Sequence, residues 1–197
     1  MTLINFLILY FNILSFEGIT SDINEWVLKK NENNIKVYLR KNAKNTSEYL
    51  AETVVSSDID SILKFILDFD NSYKWMYRLE DSKILEKSND TLFYVYFKME
   101  MGWPLKKRDL VSDVKILSED NRVTVNLTST PGYIPLDKNL IRILDSKSTW
   151  ILSKIDSNKT KVTLQSYAEI DKIPSFVVDM FILDGPLHSM KNLRKNF

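Results

Sequence analysis

The chain contains no cysteine and one histidine, His188. Without thiols there is no disulfide framework, no Cys-ligated zinc, no iron–sulfur cluster and no cysteine nucleophile. One histidine excludes multi-histidine metal sites by counting. A Ser–His–Asp triad would have to use His188, and no Gly-x-Ser-x-Gly elbow accompanies it. No catalytic residue, metal or cofactor is therefore assigned. Glycine and proline are scarce, at 4 and 5 residues, which argues against a disordered or low-complexity chain. Charge of one sign is lacking too: 27 Lys and Arg face 26 Asp and Glu, a net charge of +1. That balance gives nucleic acid, or a strongly anionic membrane, little to select.

What is present is apolar material. The chain has 197 residues, of which 44% are hydrophobic and 12% aromatic, enough for one domain with a sizeable core. Residues 1–16, MTLINFLILYFNILSF, are almost wholly apolar. The run has the length of a signal-peptide core and falls short of the roughly 20 residues of a membrane span. Gly18 and Thr20 stand at −3 and −1 for cleavage before Ser21, although no Lys or Arg precedes the run. The expectation is an exported protein, periplasmic or secreted, with residues 1–20 as signal and 21–197 as one domain. The alternatives are a cytoplasmic protein with a buried first element, or a membrane-anchored one.

Periodicity supplies the elements. Ser21 or Asp22 suits the cap of a short helix through Ile23, Trp26, Val27 and Lys30. Alternation over 35–41 and 47–55 predicts two strands joined by a hairpin loop. Ser57 and Asp58 open a helix reaching about residue 69, with Ile59, Ile62, Leu63 and Ile66 on its core face. An aromatic loop with Tyr73, Trp75, Met76 and Tyr77 follows. Strands are then expected at 82–86, 91–101, 109–117, 122–129, 140–144, 149–155 and 161–170. The spacers between them, such as Asp145-Ser146-Lys147, read as turns between antiparallel neighbours. A long final helix runs from Pro174 to about residue 195 with the stripe Phe176, Met180, Leu183, Leu187 and Met190. Pro186, beside Gly185, should kink it.

This order predicts an α+β fold: a curved antiparallel sheet of about nine strands around a long carboxy-terminal helix. A long sheet twists and curls, and the space between it and one helix is hard to fill with side chains. Phe93, Val95, Phe97, Met99 and Met101 share one face of their strand. Leu110, Ser112, Val114 and Ile116, then Val123, Val125 and Leu127, then Ile141 and Ile143, continue that dry face. Lys98, Glu100, Asp113, Lys115, Thr124, Asn126 and Arg142 form the wet one. The expected cavity walls are Phe93, Val95, Phe97, Met99, Val114, Val125 and Ile143 on the sheet, with Phe176, Met180, Leu183 and Leu187 on the helix. Alternation alone does not decide between a ligand cavity and a core that these side chains fill.

Local motifs carry a resemblance. The segment Trp103-Pro104-Leu105-Lys106-Lys107-Arg108-Asp109-Leu110-Val111 is one. Thr160-Lys161-Val162-Thr163, leading through Glu169 and Asp171 to Ile173-Pro174, is a second. Trp75 and the end Leu193-Arg194-Lys195 complete the pattern. Over about residues 24–196 the chain resembles the START (steroidogenic acute regulatory-related lipid transfer) domain family, in particular its small bacterial members. The resemblance implies a helix-grip fold with an internal hydrophobic cavity. It also implies binding, with transfer or sensing, of a hydrophobic small molecule such as a lipid, fatty acid or sterol-like compound. Where some sterol-binding members bury an acid–arginine pair, Val95 and Val114 stand here, which implies a more apolar tunnel.

Gate or motif candidates are Trp103, Arg108, Asp109, Tyr133, Gly185 and Pro186. Arg108 and Asp109 either touch ligand or organise the entry to their strand. Trp103 either lines the tunnel mouth or anchors the core. The loop 131–138, carrying Tyr133, Ile134 and Leu136, either packs on the fold or makes transient membrane contact. The rival to a non-enzymatic carrier is a cyclase or hydrolase-like enzyme on the same fold. Its best acid–base candidates, if the face assignment shifts by one, are Glu48, Glu52 and Arg142. The third reading is an interaction domain with a filled core.

Overall fold

Asn33 and Asn34 take left-handed φ values of 51° and 60°. Two consecutive left-handed residues make the tight turn that matches strand twist, and asparagine tolerates that conformation. The turn joins β1 (Val27–Glu32) to β2 (Ile35–Lys41). Val27, Leu28 and Lys30 pair with Leu39, Tyr38 and Val37. This corrects the expected helix through Val27 and Lys30: the hairpin offers that segment a ladder of backbone partners, and the short helical pattern offers no comparable burial. The computed structural model describes residues 25–170, 173, 178 and 180–197. The expected signal segment, the Ser21 or Asp22 cap, Pro174 and Phe176 lie outside the described residues, as does the side chain of Met180.

The chain continues through β3 (Ser47–Val55), α1 (Ile59–Leu67), a 3-10 turn (Phe69–Lys74), β4 (Leu79–Asn89), β5 (Leu92–Met99), β6 (Arg108–Glu119) and β7 (Arg122–Ser129). Then come β8 (Ile141–Arg142), β9 (Ser146–Asp156), β10 (Lys159–Ala168) and α2 (Gly185–Lys195). The strands form one sheet in the order β1-β2-β3-β10-β9-β7-β6-β5-β4, with β8 set beside β6. The expected strand at 140–144 thus shrinks to two residues, paired in parallel with Arg108 and Asp109. β7 pairs with β6 only from Ser112 onward, so the first residues of β6 keep an open edge that β8 takes.

α1 begins where Asp58 accepts the Ser61 N–H at 2.8 Å. That backbone hydrogen bond holds the Asp58 carboxyl below its ordinary value. Ile62 and Ile66 are its buried residues, and Trp75 packs between Phe65 and Trp150, with ring centroids 5.1 and 6.0 Å away. At the carboxy end a π-helical turn (Met180–Asp184) leads directly into α2. Proline removes the N–H that would reach back to Ile182, and its ring presses on that carbonyl. The wider π-helical turn directly before α2 gives the Pro186 ring room. α2 buries Leu187, Met190 and Leu193. Asn192 Nδ2 donates to the Trp75 carbonyl at 3.0 Å, and the Tyr77 N–H donates to Ser189 Oγ at 3.2 Å.

The dry and wet faces differ from expectation at β8. Ile141, placed on the dry face, is 42% exposed. Arg142, placed on the wet face, is buried. The reason is the segment 130–140, which folds over the convex side of β5 and β6. Tyr133 stacks on Tyr94 with ring centroids 3.9 Å apart and planes 14° apart. Its hydroxyl donates to the Glu86 carboxylate, a bond that pushes the Tyr133 pKa up to about 12. Beneath this cover Val111 is also fully buried.

Candidate ligand cavity

The concave face is filled at one end and hollow at the other. Phe69 stands against Phe93 and Phe97, with centroids 5.7 and 5.8 Å away. With Ile62 and Ile66 it occupies the space under that half of the sheet. Under the other half lies a cavity of about 370 Å³, within the range of roughly 300–1,000 Å³ typical of small-molecule sites. The sheet contributes Leu127, Trp150 and Leu164 to its wall, and Trp75 and Tyr77 face it after α1. Phe181, Ile182, Gly185 and Pro186 close it from the helical side.

Part of the wall is polar. Ser112, Ser146, Ser148, Ser166 and Tyr49 all border the cavity. The Ser148 and Ser166 hydroxyls are 2.7 Å apart and hydrogen-bonded. Tyr49 pairs with Ser166 across β3 and β10. Burial pushes the Tyr49 hydroxyl up to about 12, opposed by its hydrogen bond with Ser166. Lys41, an exposed residue on the rim, is the one charged side chain among the described lining residues.

Of the expected wall residues, Phe97, Met99 and Ile143 border the cavity. Phe93, Val95, Val114, Val125 and Leu187 are instead buried core, and Leu183 packs against that core half-buried. They sit where α1 and Phe69 fill the space, so alternation put them on the right face but could not say which half of it was hollow. Gly185 and Pro186 line the cavity, as a gate position requires. Tyr133 does not reach it, being held on the convex side by Tyr94 and Glu86. Trp103 is 94% exposed, so it is neither core anchor nor wall.

Arg108 and Asp109 are both buried. Arg108 donates to the Lys106 carbonyl at 3.2 Å. Asp109 holds Arg142 through two bonds of 2.8 and 2.7 Å, and Arg142 also donates to the Pro131 carbonyl at 2.7 Å. The hydrogen bonds to Asp109 raise the Arg142 pKa further. Neither Arg108 nor Asp109 borders the cavity. Glu48, the first candidate acid, is likewise turned away, accepting from Arg40 at 2.7 Å and from Gln165 at 2.7 Å. Glu52 and Arg142 do not line the cavity either.

The serines were the features that sequence reasoning passed over. Ser112 stood on the dry face but was not singled out. The spacer Asp145-Ser146-Lys147 reads as a turn in the sequence, whereas Ser146 is the first residue of β9. The signal was the alternation itself: counting back in twos from Leu152 and Trp150 reaches Ser148 and Ser146.

No family model matches the chain. An uncharacterised protein of Pseudomonas aeruginosa is 31% identical over 173 residues, covering 86% of this chain and 85% of that one. The crystal structure of a StAR-related lipid transfer protein (fragment 25–204) from Xanthomonas axonopodis superposes with a TM-score of 0.78 at 30% identity. It covers 87% of this chain and 97% of its own. Human StAR-related lipid transfer protein 5 shares the fold at a TM-score of 0.76 and 19% identity, over 89% of this chain and 87% of its own. A Streptomyces aromatase/cyclase shares it more distantly, at 0.56 and 10% identity, over 76% of this chain and 92% of its own. A ten-stranded sheet gripping a carboxy-terminal helix, together with these two relatives at 30% identity or more, places the chain in the START (StAR-related lipid transfer) domain family.

Proposed function

We propose that this protein carries one hydrophobic small molecule in the cavity between β3, β6, β7, β9 and β10 and the carboxy-terminal helix. The observation that carries this reading is the cavity of about 370 Å³ with Trp75, Leu127, Trp150 and Leu164 in its wall. Apolar surface leaving water there is worth about 25 cal/mol per Å², so a lipid chain is the occupant such walls favour. Family membership supports the same ligand class. The reading is of a non-enzymatic carrier: among the described lining residues only rim Lys41 is charged, and Glu48 is committed to Arg40 and Gln165. It includes export directed by residues 1–20 and delivery through brief membrane contact.

Native mass spectrometry of the full chain purified without detergent, followed by organic extraction, tests the proposal. A stoichiometric hydrophobic adduct is expected. An empty protein that takes up no fatty acid, acylglycerol, phospholipid or sterol would return the weight to a filled-core interaction domain. Turnover of a polyketide or ester mimic, abolished by replacing Glu48 or Glu52, would return it to the enzyme.

A further inference from the structure

The Ser112 and Ser146 side chains border the cavity and belong to residues only 1% and 6% exposed. Among the described residues, neither hydroxyl has a hydrogen-bond partner. Both oxygens are open to the cavity, since no fully enclosed side-chain oxygen or nitrogen among the described residues is left without a partner, and each is free to bond a ligand oxygen. The two are placed in one row across the sheet. Ser112 of β6 pairs with Ser129 of β7, and the Ser146 N–H of β9 donates to Ser129 Oγ at 3.1 Å. Ser129 is itself satisfied, donating to the Leu144 carbonyl at 3.1 Å. The unpartnered hydroxyls thus flank a satisfied one, separated by two strand spacings, about 10 Å along the sheet before its curvature. The neighbouring row, Ser148, Ser166 and Tyr49, is bonded within itself.

We propose that Ser112 and Ser146 form the head-group subsite of the cavity, and that they select an uncharged lipid head bearing two or more hydrogen-bonding oxygens, of the monoacylglycerol type. This rests on the carrier reading above. A hydroxyl both donates and accepts, so it satisfies an alcohol or an ester carbonyl equally, but two of them do not neutralise an ion. A phosphate or carboxylate set in this row would be a buried charge without a countercharge. The exposed Lys41 stands at the rim, where its ammonium donates to Ser47 Oγ at 2.8 Å. A single-hydroxyl sterol meets one serine and leaves the other unpartnered. The apolar walls beyond the row, Trp75 and Trp150 among them, take the acyl chain.

Trp75 and Trp150 face the cavity, so their fluorescence reports entry. The full chain is titrated with 1-dodecanoylglycerol, dodecanoate and dodecane. The glycerol ester is expected to bind about tenfold more tightly than dodecane, the worth of one or two net hydrogen bonds. Ser112→Ala and Ser146→Ala each reduce that preference several-fold, and neither lowers the Tm of the empty protein, because each removes an unpartnered hydroxyl. A merely structural serine would lower Tm on substitution. Equal binding of ester and dodecane, or a preference that survives the double substitution, overturns the subsite. So does tighter binding of dodecanoate that Lys41→Ala abolishes. If none of the three probes changes the fluorescence, the carrier reading itself fails; if all three bind alike, only the subsite does.

Discussion

Asp109 and Arg142, distant in sequence, form a doubly hydrogen-bonded ion pair of 2.8 and 2.7 Å with both side chains almost wholly out of water. The pair lies on the convex side of the sheet, roofed by the segment whose Pro131, Ile134 and Pro135 carbonyls take the remaining guanidinium protons. Of the two readings of the Arg108-Asp109 motif, ligand contact or organising the entry to its strand, Asp109 fits the second: with Arg142 it clamps a loop to β6.

Removing one partner of that clamp leaves the other buried and uncompensated. Asp109→Asn or Arg142→Met is expected to cost about 3–5 kcal/mol in urea denaturation. Replacing both by apolar residues should cost less than either single change. A single substitution without measurable effect on stability would show that the clamp opens freely.

Alkaline pH should destabilise the protein through the half-buried Tyr49, Tyr38 and Tyr167. Tyr49 stays neutral in the native state up to about 12, while its ordinary value is 10.0. Between those values the unfolded state holds fewer protons, so stability, constant below pH 10, falls as pH rises towards 12. Burial raises Tyr38 and Tyr167 in the same direction. Urea midpoints taken from pH 8 to 11.5 should show the decline, and Tyr49→Phe should flatten part of it. An unchanged slope in that variant would assign the titration elsewhere.

Val95 and Val114 are both fully buried. Val95→Glu alone should cost about 3–5 kcal/mol, the penalty of a buried charge without a partner. Adding Val114→Arg should restore part of that, because the two residues lie on the same face of adjacent strands. Thermal denaturation of the three variants measures the recovery; no recovery would mean the two sites do not meet.

Pro186 borders the cavity at the start of α2, directly after the π-helical turn. Pro186→Ala restores a backbone donor and lets the turn tighten towards a regular helix. Ligand release, followed by stopped-flow tryptophan fluorescence, should slow. On- and off-rates identical to those of the parent would remove Pro186 from any gating role.

Trp103 is 94% exposed and bears no packing load. Trp103→Ala should leave stability within about 0.5 kcal/mol of the parent in urea.

Much of this was legible in the chain before any coordinates. Alternation at Phe93, Val95 and Phe97, and at Val123, Val125 and Leu127, marked the dry face, because strand side chains alternate whatever the partner strand. The spacing of Ile59, Ile62 and Ile66 marked α1 for the same local reason. The absence of cysteine and the lone histidine removed most metal and nucleophile chemistry by counting. Only the tertiary structure could decide the rest. Which half of the dry face stays hollow depends on where Phe69 and α1 come to rest, a contact between distant segments. Arg142 is buried because a loop folds over it, and Ser146 is a cavity residue because β9 begins one strand away from Ser129. Local sequence fixes the direction of each side chain relative to its own backbone; what that side chain meets is settled by long-range pairing, which no local period encodes.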